Sequence, residues 1–171
     1  MTTGRKKANR RRGYQLAEVP AGLILLILGI FIPLLIISSI TYRVSLLWFA
    51  TRDSCLKAAK APTFTEANNR AQTNFNRNIA GFPGISGTAT IQIMIKPLSG
   101  GPPTFSSTAL PASSIDTNNN IYFIRETANG TLNPLVQMSS YFGKSIPGLT
   151  GPFNVQTRFE ALVESPNGLS Q

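Results

Sequence analysis

Residues able to do chemistry are sparse in this chain, and most of their usual partnerships are missing. There is no histidine, and Cys55 is the single cysteine, so neither an internal disulfide nor a cysteine-cluster metal site is available. The seven Asp and Glu residues fall singly along 171 positions, with no pair at a spacing suited to acid–base work. The glycine-rich "GFPGISG" lacks the lysine and the following helix of a phosphate loop. These absences argue against an enzyme, and the sequence implies no cofactor and no metal. Cys55 reads as a small packed residue, with an interchain bridge as the alternative if the compartment is oxidising. One acid stands apart. Glu18 is the only acid before Asp53 and opens directly onto Val19 and a long apolar run. A carboxylate entering a bilayer or an apolar helix bundle is costly unless paired. In the headgroup layer it is instead a helix N-terminal acid favoured by the dipole.

The element that positions Glu18 is the run itself. Residues 19–40 carry no charge over 22 positions and are mostly Leu, Ile, Val and Ala. At about 1.5 Å per residue such a helix spans about 33 Å, close to a hydrocarbon core of about 30 Å. It exceeds the apolar region of a secretory signal, and no small-x-small cleavage site follows it. Six of the 16 Lys and Arg precede it, at Arg5, Lys6, Lys7, Arg10, Arg11 and Arg12. Without them ten cations face seven acids, so the formal charge of +9 belongs largely to the N-terminus. By the positive-inside rule the head is cytoplasmic and residues beyond Tyr42 and Arg43 are outside, with Tyr42, Arg43 and Trp48 suited to an interfacial anchor. No basic stripe with interleaved aromatics follows, so nucleic acid is not the expected partner. Pro20 lies near the helix start, where a missing N–H matters little. Pro33 is internal and should kink the helix or loosen one turn. It is either a functional hinge or a proline of the kind membrane helices tolerate.

The fold expected is α+β. The helical pattern continues through Val44, Leu47, Trp48, Leu56 and Ala59 until Pro62 stops it, giving one long helix over residues 14–60 with its transmembrane part at about 19–41. Its outer part must pack on the domain of residues 61–171. Thr63 and Glu66 form a capping box, and Ala67, Ala71, Phe75 and Ile79 repeat every four residues, predicting a short helix over 64–79 ended by Gly81 and "FPG". Beyond Gly84 the period becomes two. Ile91, Ile93 and Ile95 share one face of a strand, "NIYFIRETA" is a second, and Asn129-Gly130 signals a tight turn into a third near "PLVQMSSYF". The Asn129-Gly130-Thr131 triplet also fits a glycosylation acceptor, although turn chemistry explains it better. In the last strand Phe153, Val155, Thr157, Phe159, Ala161 and Val163 alternate with polar residues. "SGGPPTFSSTALPASS" and "KSIPGLTGP" read as loops. The result is a roughly four-stranded antiparallel sheet, with one face buried on the long helix.

The N-terminus carries a family likeness. "RRRGYQLAE" resembles the prepilin processing site of type IV pilins and their relatives: a basic leader ending in glycine, here Gly13, an aromatic first residue, Tyr14, and glutamate fifth, Glu18, followed at once by an apolar helix. The likeness covers roughly residues 5–40 and departs only in Tyr14, where phenylalanine is commonest. Within that class the chain looks most similar to TadE-like minor pilins or pseudopilins of the tight-adherence system, through its short arginine-rich leader, the proline in "GIFIPLL" and the ending "VQMSSYFGKSIPGLTGPFNVQTRFEALVE".

The resemblance implies a biology. Prepilin peptidase would cut between Gly13 and Tyr14, removing the 1–13 leader. The precursor would sit in the inner membrane, leader cytoplasmic and domain outside, before passing to a cell-surface fibre used for attachment. Its partners would be other pilin subunits, met through the N-terminal helix, and the assembly platform. Glu18 would pair with the new amino group on a neighbour's Tyr14, which makes it a register device for assembly. The alternative is an unprocessed single-pass protein whose outer domain binds a ligand or partner. A secretion-system pseudopilin shares the N-terminus, but the chain has no acid cluster for the calcium site that would favour it.

Overall fold

The computed structural model describes residues 19–136, 140 and 143–171. Gly13, Tyr14 and Glu18 lie outside the described residues.

The described residues open with one continuous helix, α1, Val19–Ala59, of 41 residues, about 60 Å long. It is long and apolar enough to cross a bilayer. Pro20 occupies its first described turn. A π-helical turn, Ile27–Phe31, interrupts the α geometry, with the Ile32 N–H reaching back five residues to the Ile27 carbonyl. This wide turn ends two positions before Pro33, whose ring would collide with the carbonyl four residues earlier in a regular helix. Helix α2, Phe64–Ala80, begins at Thr63, whose hydroxyl accepts the Glu66 N–H at 3.2 Å. Glu66 turns its carboxylate to Arg70, with Oε1 2.6 Å from Nη2. The apolar stripe of α2 (Ala67, Ala71, Phe75 and Ile79) is buried, as its four-residue spacing requires.

Among the described residues the sheet has four strands: β1, Ile85–Pro97; β2, Thr104–Ser106; β3, Asn120–Leu132; and β4, Phe153–Leu162. Their order is β2-β1-β3-β4, every pair antiparallel. The outer half of α1 and the whole of α2 lie on one face. Leu47, Ala50, Phe75, Ile79, Ala89 and Ala128 form one cluster of the core. Cys55, Ala58, Ala71, Ile93, Ile124, Tyr122 and Ala161 belong to a second, farther along the same seam. Burying a side chain of Leu, Ile or Phe size stabilises by about 1.5–3 kcal/mol, so this seam dominates the fold. The C-terminal turn, Pro166–Ser170, closes the far end: Leu110 donates to the Leu169 carbonyl at 2.8 Å and Thr65 to the Gln171 carbonyl at 3.2 Å.

Two sequence expectations fail here, the Asn129-Gly130 turn and the loop reading of the segment that holds β2, and a third lies largely outside the described residues. Asn129-Gly130 is not a turn. β3 runs straight through it, pairing Gly130 with Gly87 on one side and Val155 on the other. The glycine serves helix-to-sheet approach instead, since a Cβ at position 130 would lie 2.5 Å from Leu47 Cδ2 and 3.0 Å from Cδ1. Most of the strand expected near "PLVQMSSYF" lies outside the described residues; its described positions, 134–136 and 140, are not in a strand. The fourth strand is β2, inside the Gly/Pro/Ser-rich segment read as a loop. Its three residues pair along the free edge of β1, Phe105 opposite Met94.

Gly130→Ala should destabilise the protein by about 1–3 kcal/mol in urea melts. Combined with Leu47→Ala it should cost less than the sum of the two single changes. A wild-type melt for Gly130→Ala would remove the close-approach explanation.

Candidate functional site

α1 presents two unlike faces. From residue 19 to residue 35 nearly every side chain is exposed, Pro33 being buried and Gly29 and Ile32 half-buried. Leu25 is 72% accessible, and Leu23, Leu26, Leu28, Ile30, Phe31 and Leu34 all exceed half. An apolar surface of this extent marks a membrane or protein contact. The domain begins to cover the helix near Ile36, which is 1% exposed. Thus protein already covers part of the stretch expected to span the membrane at about 19–41. Ile37, Ile40 and Thr41 meet Pro147, Gly148 and Leu149 around a gap of about 140 Å³. The Arg43 guanidinium, expected at a lipid interface, donates to the Asn133 carbonyl and ties the end of β3 to the helix.

Along its whole length the outward side of α1 keeps an apolar residue at every seventh position. Leu28, Leu35, Tyr42, Phe49 and Leu56 recur every seven residues, and all five are exposed. Phe31, Ser38, Ser45 and Arg52 lie between them on the same side. An apolar residue at every seventh position keeps one line of contacts along a helix, as in helices that pack lengthwise on one another; the flanking positions here are Phe31, two serines and Arg52. Trp48 and Leu56, grouped by sequence spacing with Leu47 and Ala59, separate from them: Leu47 and Ala59 are buried, while Trp48 and Leu56 are 46% and 39% exposed. Trp48 packs edge-on against Phe159 with ring centroids 6.2 Å apart. Arg52 sits over both rings, at 5.8 and 5.9 Å.

The inward side of the same helical turns holds a polar cluster that the sequence reading missed. Glu126 projects from the middle of β3 into the core and is fully buried. Its Oε1 lies 2.5 Å from Ser54 Oγ, and its Oε2 has no hydrogen-bond partner. Thr51 donates to the Leu47 carbonyl at 2.8 Å and meets Thr157 at 2.7 Å. Cys55 is buried, its thiol directed at the Ile124 and Phe159 carbonyls. Burial pushes the Glu126 carboxyl up to about 8; the Ser54 bond opposes this and the nearby negative charge of Asp53 adds to it. Proton counting agrees. Ser54 has one proton, and the Ala50 carbonyl, at 2.7 Å, competes for it with Glu126. A neutral Glu126 resolves the conflict by donating its own proton to Ser54 Oγ. The signal was available in "NIYFIRETANG", where Glu126 shares strand parity with Tyr122, Ile124 and Ala128.

Among the described residues no three His, Cys, Asp or Glu gather where they could hold a metal. No family model, curated protein or solved structure matches this chain. The arrangement offers an apolar helix face for contact with lipid or another helix, backed by a seam containing one neutral acid.

Ser54→Ala strips Glu126 of its hydrogen bond and should cost about 1–3 kcal/mol in a denaturant melt at pH 6. Adding Glu126→Leu should recover most of that loss, since removing both partners leaves no polar group unpaired. A neutral Ser54→Ala would mean the bond carries no stability.

Proposed function

We propose that the chain is a minor pilin or pseudopilin subunit of a tight-adherence, type IV-like fibre. It is made as a membrane precursor, cut by prepilin peptidase between Gly13 and Tyr14, and added to other subunits through α1. The observation that carries this reading is the heptad stripe of α1, which stays apolar and exposed from Leu28 to Leu56. A bilayer of about 30 Å covers about 20 helical residues, so a span that starts at Val19 leaves Tyr42, Phe49 and Leu56 beyond the hydrocarbon. A single-pass anchor needs no apolar outer face there; a subunit that stacks its helix on neighbours does.

The N-terminal residues supply the rest. The leader cations hold the precursor's orientation in the inner membrane, with the domain outside. Cleavage removes them and creates an amino group on Tyr14. Glu18 then finds its counter-charge on the adjoining subunit, and a stagger that leaves the carboxylate alone in an apolar bundle is disfavoured. The fibre is expected at the cell surface, in attachment.

Mass spectrometry of protein extracted from its native host tests this. The mature chain should begin at Tyr14, and Gly13→Ala should leave it full length in the membrane. Phe49→Glu should be processed normally yet fail to enter fibres. A native chain that keeps its arginine-rich head establishes the alternative, a permanent single-pass anchor.

A further inference from the structure

We propose that Glu126 is a proton-operated latch between α1 and the sheet: neutral, it closes the seam through Ser54, and on losing its proton it opens that seam locally and uncovers Cys55. The latch does not depend on how residues 1–18 are processed.

The geometry isolates this carboxyl from any charge that would hold it ionised. On α1 it faces Ser54, with Thr51 and Cys55 alongside and the acid Asp53 adding repulsion. Lys57, on the same helix, is committed to Asp53 at 2.7 Å and Asn74 at 3.2 Å, and Arg52 lies over the Trp48 and Phe159 rings. From α2, Asn78 also turns to Asp53, at 2.9 Å, and Arg77 acts on Asp53 as well. The cross-strand neighbours are Ile91 on β1 and Phe159 on β4, neither of them titratable. On β3 itself, Arg125 occupies the opposite face, with Nη2 2.6 Å from the Glu160 carboxylate and its guanidinium 4.1 Å from the Phe105 ring centre. A carboxylate formed here would therefore be a buried charge with one weak partner, and the relief open to it is water.

The sign follows from the two states. Closed, the carboxyl holds its proton up to about pH 8; released to water it returns to its ordinary value of 4.5. Between those limits opening sheds one proton, so the opening constant rises about tenfold per pH unit. It is flat below the lower limit and levels off above the upper one. The closed seam is favoured on the acid side of this window and weakened towards its alkaline end.

Cys55 is a built-in reporter, adjacent to Ser54, buried, and the sole thiol of the chain. Full-length protein in detergent micelles is labelled with 4,4′-dithiodipyridine between pH 5.5 and 7.5. An exposed thiol reacts as its thiolate, gaining about tenfold per pH unit in this range. With the latch in series, wild type should gain about a hundredfold per unit. Glu126→Gln keeps the shape but loses the proton, and should gain only about tenfold. A tenfold slope in wild type, or a hundredfold slope in the Gln variant, overturns the proposal. Low urea provides a second arm that needs no variant. A local opening leaves the wild-type rate nearly unchanged, whereas a rate that climbs as steeply as complete unfolding assigns the exposure to global unfolding and ends the latch.

Discussion

The close approach of α1 to the middle of the sheet is the contact on which the rest of the structure depends. One helix has to satisfy two surroundings along its length, and in its second half it does so on two sides at once. Leu47 presses on the bare backbone of Gly130, and Thr51, Ser54 and Cys55 follow it along the same seam. A Cβ at position 130 would meet the Leu47 side chain at 2.5 Å and force it to move within the seam. With the seam closed, the opposite side of the helix is left outward, and there the aromatic and aliphatic residues repeat every seven positions. The domain thus fixes which face of α1 is available for contact.

Much of this was legible in the residues. The long apolar run, the stop at Pro62, the Thr63 cap, the four-residue stripe of α2 and the alternation of β1 and β4 are local patterns, and local physics decides them. The failures share a cause. Asn129-Gly130 has the chemistry of a tight turn, yet a contact from a residue more than eighty positions earlier decided its conformation. β2 is three residues long in a segment rich in proline and glycine, and it exists because β1 offers an edge. Glu126 was set aside as one of several scattered acids, because charge types are read as surface unless strand parity is followed through them. Neighbouring Tyr122, Ile124 and Ala128 put position 126 on the inner face, whatever its side chain.

The candidate site divides in the same way. The heptad on α1 is a sequence property, but which side of the helix the domain would cover is a tertiary one, and spacing alone grouped Trp48 and Leu56 with the buried residues. Arg43 shows the reverse: a residue suited to a lipid boundary is drawn to a backbone carbonyl of its own domain. A neutral acid inside the seam and an apolar stripe outside it occupy the same helical turns, so a change in how α1 sits on the sheet would also move the face offered to partners.

The central claim is that the outward stripe of α1 is a helix-packing surface that extends beyond the membrane. Photo-crosslinking in the native host addresses it most directly, with benzoylphenylalanine placed singly at each of positions 34–56. Covalent adducts to fibre subunits at 35, 42, 49 and 56, and weak or no adducts at the positions between these and their immediate flanks, are the predicted result. Adducts confined to positions inside the bilayer, or spread without the seven-residue period, would contradict the account.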